Sequence, residues 1–182
     1  MRTTTSVFLT AWGWVGIATS PVGLLGTTLP TASREEALSA LRRQWPDSEE
    51  TAEAVTTRQG DPTPHHARLH QKLSSYFLGQ RIDWNETLDA QGATDFQVRV
   101  WNIVRSIPYG QVRSYSWVAA QAGSPGAARA VGQVMANNPF PIIVPCHRVV
   151  GQAGALTGFG GGLEMKRRLL TMEGASVAGV SV

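Results

Sequence analysis

The chain has 182 residues, of which 42% are hydrophobic, 16% are charged and one is cysteine. That length fits one domain or two small ones with a real core, and a lone cysteine excludes a disulfide framework or a Cys-rich zinc site and suits a reducing compartment. The net charge of +3 hides an asymmetry. Residues 1–95 carry eight Lys/Arg against eleven Asp/Glu, whereas residues 96–182 carry eight Lys/Arg against only Glu164 and Glu173, a balance that suits a polyanion such as nucleic acid.

Residues 3–33 contain no charge, but Gly13, Gly16, Pro21, Gly23, Gly26 and Pro30 interrupt them. No apolar run approaches the ~20 residues of a membrane span, so the chain is expected to be cytoplasmic. WVGIAT–SPVG–LLGTT reads as two short strands around a turn. Ser33 to Trp45 reads as a helix, with Ser33 as N-cap and Ala37, Leu38, Leu41 and Trp45 at helical spacing. Residues 46–64 are polar and Pro/Gly-containing, hence a loop. His65, His66 and His70 follow. The four-residue spacing of His66 and His70 could hold a metal on a helix, but no third ligand stands nearby, and a solvated helix start is the expectation. That helix runs through Leu69, Leu73, Tyr76 and Phe77 to Gly79, and Ile82–Leu88 reads as a strand.

From Gly92 the pattern changes. Thr94 and Gln97 form a capping-box pair ahead of a helical period ending at Pro108. IPYG is a turn, Ser114 caps a helix through Ala122, and Ser124 with Pro125 opens another to Ala136. Helix, short turn, helix is the outline of a helix-turn-helix. Gly126, Ala127, Ala128, Ala130 and Gly132 leave the second helix nearly bare around Arg129, which permits close approach to another surface or helix.

Ile142–Val144 reads as a buried strand delivering Cys146 into PCHRVV. His147 and Arg148 follow the thiol directly, and a base or positive charge activates cysteine. Adjacent residues of an extended chain point to opposite sides, so a bridging water or a turn must link Cys146 to His147. TGFGGG offers backbone that a planar ligand can approach. In the last helix Leu163, Leu170 and Met172 are expected inward. Glu173 falls at a helix C-terminus, where the dipole disfavours a carboxylate; simple exposure is the plain reading, and a partnership with His147 the functional one.

The stretch from Thr94 to Gly174, carrying SYSWVAAQAGSPGAARAVG, NNP, PCHRVV and TGFGGG in order, strongly resembles the O6-alkylguanine-DNA alkyltransferases, also called methylated-DNA–protein-cysteine methyltransferases. The N-terminal half matches in outline, chiefly at SPVGLL. The resemblance implies an α/β (α+β) protein with two parts. Residues 1–91 would form a ribonuclease-H-like small sheet plus helix; residues 92–182 would form a mostly helical domain with a winged-helix-like helix-turn-helix.

It also implies direct reversal of O6-alkylguanine, and of O4-alkylthymine, in double-stranded DNA by irreversible transfer of the alkyl group to Cys146. His147, backed by Glu173, would take the thiol proton; Asn138 would brace the turn; Tyr115 would help protonate the leaving base. Arg129 would fill the stack vacated by a base flipped through the minor groove, with Ser114, Ala127, Ala128 and Gly132 on the same DNA face. Val149, Phe159, Gly160 and Pro141 would form the base pocket. Phe159 stands where a tyrosine is common and Gly160 where some members have serine. No cofactor, no metal, no membrane and a monomer are implied. Two alternatives remain open on the residues: a cysteine hydrolase built on Cys146, His147 and Glu173, and a lesion-binding module that transfers nothing.

Overall fold

The computed structural model describes residues 3–51 and 64–176, so residues 52–63 of the expected acidic loop lie outside the described residues. The chain divides into two compact units, Met1–Asp89 and Ala90–Val182.

In the first unit, β1 (Thr4–Thr10) and β2 (Gly13–Thr19) form an antiparallel hairpin. β3 (Leu24–Thr27) pairs antiparallel with β2, and β4 (Glu49–Glu50) pairs parallel with β1, giving the order β3-β2-β1-β4. Alternation sorts the faces. Val7 and Ala18 pack with Ala37, Leu38 and Leu41 of α1 (Arg34–Gln44), whose N-cap Ser33 accepts from the Glu36 amide. Gly16 permits this close approach: a Cβ there would meet the Leu41 side chain at 2.7 Å. On the other face, Ser6 and Phe8 meet α2 (Pro64–Phe77).

Three expectations for this unit change. β1 went unread because its Thr/Ser-rich start looks like loop, although β-branched threonine suits a strand. Ile82–Leu88 is not a strand; only Leu88 bridges to Leu24. Its polar groups turn to α2 instead, where Lys72 Nζ donates to Asp83 O at 3.0 Å, Asn85 Oδ1 at 2.7 Å and Glu86 Oε1 at 2.6 Å. Nor is the histidine pair a solvated helix start. His66 is buried, its Nδ1 lies 2.8 Å from Ser6 Oγ, and His70 Nε2 lies 2.9 Å from the same hydroxyl.

In the second unit, α3 (Asp95–Arg105) opens on the expected Thr94–Gln97 capping box. β5 (Arg113–Ser114) leads into α4 (Tyr115–Gln121), capped by Ser114 Oγ accepting from the Trp117 amide at 3.1 Å. α5 starts at Ala128 (Ala128–Ala136), not at Pro125. Ser124 to Ala127 closes a β-turn first, the Ala127 N–H donating to Ser124 O at 2.9 Å with proline at its second position. Val131, Val134 and Met135 face the core while Arg129 and Ala130 stay exposed. A 3-10 turn at Cys146–Arg148, β6 (Val149–Val150) and α6 (Gly162–Met172) follow, with β6 parallel to β5. No helix among the described residues is long and apolar enough to cross a membrane.

Candidate active site

The segment before the cysteine is a tight turn, not the expected strand. The Val144 amide reaches back to Phe140 O at 2.8 Å, and Ile142 adopts φ 75° while almost fully buried. A left-handed β-branched residue costs on the order of 1–3 kcal/mol, so surrounding bonds must hold it. Asn138 supplies them. Its Oδ1 accepts from the Phe140 amide at 3.0 Å and its Nδ2 donates to Val144 O at 2.9 Å. The end of α5 is thereby tied to the chain entering Pro145. The 3-10 turn then lets neighbouring side chains diverge: Cys146 faces a cavity, whereas His147 and Arg148 turn into the protein.

Behind the thiol is a buried charge cluster. His147 Nε2 lies 2.9 Å from Glu173 Oε1. Arg148 donates from Nε to Oε2 and from Nη2 to Oε1 of Glu173, both at 2.9 Å, and from Nη1 to Ile107 O at 2.7 Å. Its guanidinium also lies 5.7 Å over the Tyr109 ring. The Gly110 amide adds a donor to Glu173 Oε2 at 3.2 Å; this glycine has φ +75°, and a Cβ would stand 2.7 Å from Glu173 O. Glu173 is therefore buried at the C-terminus of α6, and the exposed reading is wrong. Burial pushes its carboxyl upward. The hydrogen bonds from His147 and Arg148, together with the Arg148 charge, outweigh this and hold it well below the usual carboxylate range.

Burial likewise lowers the His147 pKa, with Glu173 only partly compensating. The imidazole is neutral at pH 7, Nε2 carries the proton facing Glu173, and Nδ1 is the basic nitrogen. Burial pushes the Cys146 thiol up, opposed by the Asn138 amide, the Lys166 charge and backbone donors. The resting sulfur is thus a thiol that needs a base.

The cavity in front of Cys146 encloses about 610 Å³. Tyr115 of α4 and Ala128, Arg129 and Gly132 of α5 line it together with Phe159 and Gly160. His147, Glu173 and Asn138 stand behind the thiol, Pro141 is buried in the turn, and Ser114 and Ala127 are the N-caps of α4 and α5. The Val149 amide is spent on Cys146 O. Arg129 is exposed and has no ion pair among the described residues.

Sequence reasoning missed Lys166. It is fully buried, and Nζ donates to Val149 O at 2.6 Å and Thr157 O at 2.9 Å while lying 5.9 Å over the Tyr115 ring. It clamps β6 to the loop that walls the cavity. Burial lowers its pKa to about 8, with Cys146 opposing. The signal was present: residues 166, 169, 170 and 173 form one helical stripe, all buried, whereas Leu163, expected inward, is 43% exposed.

Residues 95–175 match the family model described as 6-O-methylguanine DNA methyltransferase, DNA binding domain. A methylated-DNA–protein-cysteine methyltransferase of Mycolicibacterium paratuberculosis is 44% identical over 154 residues, covering 85% of this chain and 88% of that protein. The chain belongs to the methylated-DNA–protein-cysteine methyltransferase family. The constitutive methyltransferase of Bacillus subtilis is 41% identical over 160 residues, covering 86% of this chain and 92% of its own length. Among solved members of the family, Mycobacterium tuberculosis O6-methylguanine methyltransferase superposes with TM-score 0.72 at 36% identity, covering 95% of this chain and 93% of that one. The same organism's OGT in complex with DNA gives TM-score 0.72 at 37% identity, with 94% and 92% covered.

Proposed function

We propose that this protein repairs DNA by moving the alkyl group of O6-alkylguanine onto Cys146, once per molecule. One observation carries the reading: the chain's single thiol opens on a cavity beside Tyr115 and Arg129, while the next residue is a neutral imidazole fixed by a buried Glu173–Arg148 pair. A histidine held in one tautomer by a carboxylate is a general base.

In the step, the thiol proton passes to His147 Nδ1 by way of water. The sulfur attacks the alkyl carbon, an S–C bond forms, and the C–O6 bond breaks with its electron pair remaining on guanine. Tyr115 donates a proton to the leaving base and is reprotonated from solvent. The Glu173 carboxylate stabilises the imidazolium, and Lys166 supports the thiolate as it forms. The thioether has no route back, so the protein is consumed. O4-alkylthymine presents the same alkyl–oxygen bond and is the second substrate.

The base must leave the helix to reach Cys146, at a cost of a few kcal/mol that is smaller for a poorly paired lesion. Arg129, exposed and without an ion pair among the described residues, enters the gap from the minor groove on a helix whose small residues allow contact. Val149 retains a carbonyl lone pair beyond the Lys166 bond for the guanine edge, Gly160 offers its amide, and Phe159 and Pro141 make the apolar wall. The first unit takes a ribonuclease-H-like form, residues 92–182 a winged-helix-like one, and the protein acts as a cytoplasmic monomer. Incubation with an O6-methylguanine duplex tests the whole reading: one methyl should appear on the Cys146 peptide, and an unmodified peptide from folded protein would overturn it.

A further inference from the structure

A second arginine, two residues before the cavity-lining Tyr115, is left without a role by the reaction. Arg113 ends β5, whose two residues pair with Val149 and Val150 just after the cysteine turn. Two positions later Tyr115 lines the cavity. Unlike Arg129, the Arg113 side chain is held in place. Its Nη1 donates to Val112 O at 2.8 Å, its Nη2 to Gln111 Oε1 at 3.0 Å, and its guanidinium lies 5.4 Å over the Trp117 ring.

Those contacts restrain the group, and among the described residues it forms no ion pair. Between residues 96 and 182 the only carboxylate side chains are Glu164 and Glu173. Glu164 pairs with Arg167, and Glu173 is consumed by His147 and Arg148. A guanidinium has five N–H donors, of which the two named bonds use two. A pre-ordered, stacked guanidinium with spare donors and no ion pair among the described residues is matched to an anion with several acceptor oxygens, a phosphodiester above all.

We propose that Arg113, seated on Trp117, is a DNA-backbone anchor that grips a phosphate of the strand whose alkylated base enters the Cys146 cavity. This rests on the reading that the protein binds alkylated duplex DNA. A phosphate contact fixes register without reading sequence or damage, so it acts equally on plain and lesion-bearing DNA.

Binding of the full chain to a plain duplex and to the same duplex carrying O6-methylguanine, across a salt series, tests it. Arg113→Gln should lower the slope of log K against log salt by about one and weaken both duplexes by a similar factor, roughly three- to tenfold at moderate salt. Arg113→Lys keeps the charge and should keep the slope, with a smaller loss from the missing stack. A wild-type slope in Arg113→Gln would overturn the proposal, as would a loss confined to the lesion duplex or an equal slope loss in Arg113→Lys. Wild-type protein that binds neither duplex would instead refute the DNA-binding reading itself.

Discussion

Arg148 and Glu173 meet through both carboxylate oxygens, Nε to Oε2 and Nη2 to Oε1 at 2.9 Å each, in a site closed to solvent. Electrostatics alone does not explain why an arginine follows the cysteine–histidine pair; the fork geometry does. Arg148 neutralises the carboxylate that a helix C-terminus disfavours, and His147 is oriented by the same oxygen, Oε1.

Removing one partner of this buried pair should cost more than the pair itself contributes. Glu173→Gln leaves Arg148 charged and half-satisfied in the interior, and a loss of about 3–5 kcal/mol is expected. Urea denaturation at pH 7 measures it. A loss below about 1 kcal/mol would mean that the cluster opens to water more readily than its burial indicates.

Lys166→Met should damage both stability and chemistry. It removes the donor to the Val149 and Thr157 carbonyls, and an unsatisfied buried acceptor costs about 1–3 kcal/mol. It also removes a positive charge that favours the Cys146 thiolate. Transfer at pH 7.5 should slow by about tenfold or more, a barrier increase of about 1.4 kcal/mol or more. Stopped-time mass analysis of the Cys146 peptide reads the rate, and an unchanged rate would confine the lysine to structure.

The first unit should weaken on acidification through His70. Burial, with His66 adding repulsion, lowers the His70 pKa to about 4 from an ordinary 6.5. The unfolded chain therefore binds the proton first as pH falls. Stability declines from pH 6.5 down to about 4 and then levels. His70 is partly exposed, so solvent screening trims the effect to about 1–2 kcal/mol. The titratable group facing His70 is His66, with ring centroids 6.4 Å apart on the same helix, and the other contacts on His70 are Ser6 and Phe8. Urea midpoints at pH 7, 6, 5 and 4 should show a steeper fall for wild type than for His70→Gln. Parallel falls would assign the acid sensitivity elsewhere.

Much of this was legible in the sequence, and the failures have physical causes. Helices with a side-chain cap at Ser33, Thr94 and Ser114 fell where expected, because capping is local chemistry. α5 was read three residues early because Ser124 and Pro125 are equally good turn formers. The turn at Ile142 was read as a strand because apolar β-branched residues suit strands, and only the long-range grip of Asn138 reverses the preference. The thiol and its histidine were recognisable by type and adjacency. Lys166 was passed over: its place on the buried stripe with residues 169, 170 and 173 was legible, but the two backbone carbonyls that satisfy its ammonium were not. His66 and His70 were misjudged for the same reason: their partners are hydroxyls on β1 and β2, 47 to 64 residues away.

Arg129→Ala should separate base extrusion from chemistry. Transfer from an O6-methylguanine duplex should fall by about tenfold or more, while reaction with the free O6-alkylated base, which needs no flipping, should hold near the wild-type rate. Equal falls on both would show that Arg129 acts on the cavity and not on the helix stack.

The most direct test of the account is intact mass before and after exposure to excess O6-methylguanine duplex, with peptide mapping of the product. The account predicts that each molecule gains one methyl group, located on Cys146, and that no further lesion is cleared once it is gained. Continued turnover, or repair that leaves Cys146 unmodified, would contradict it.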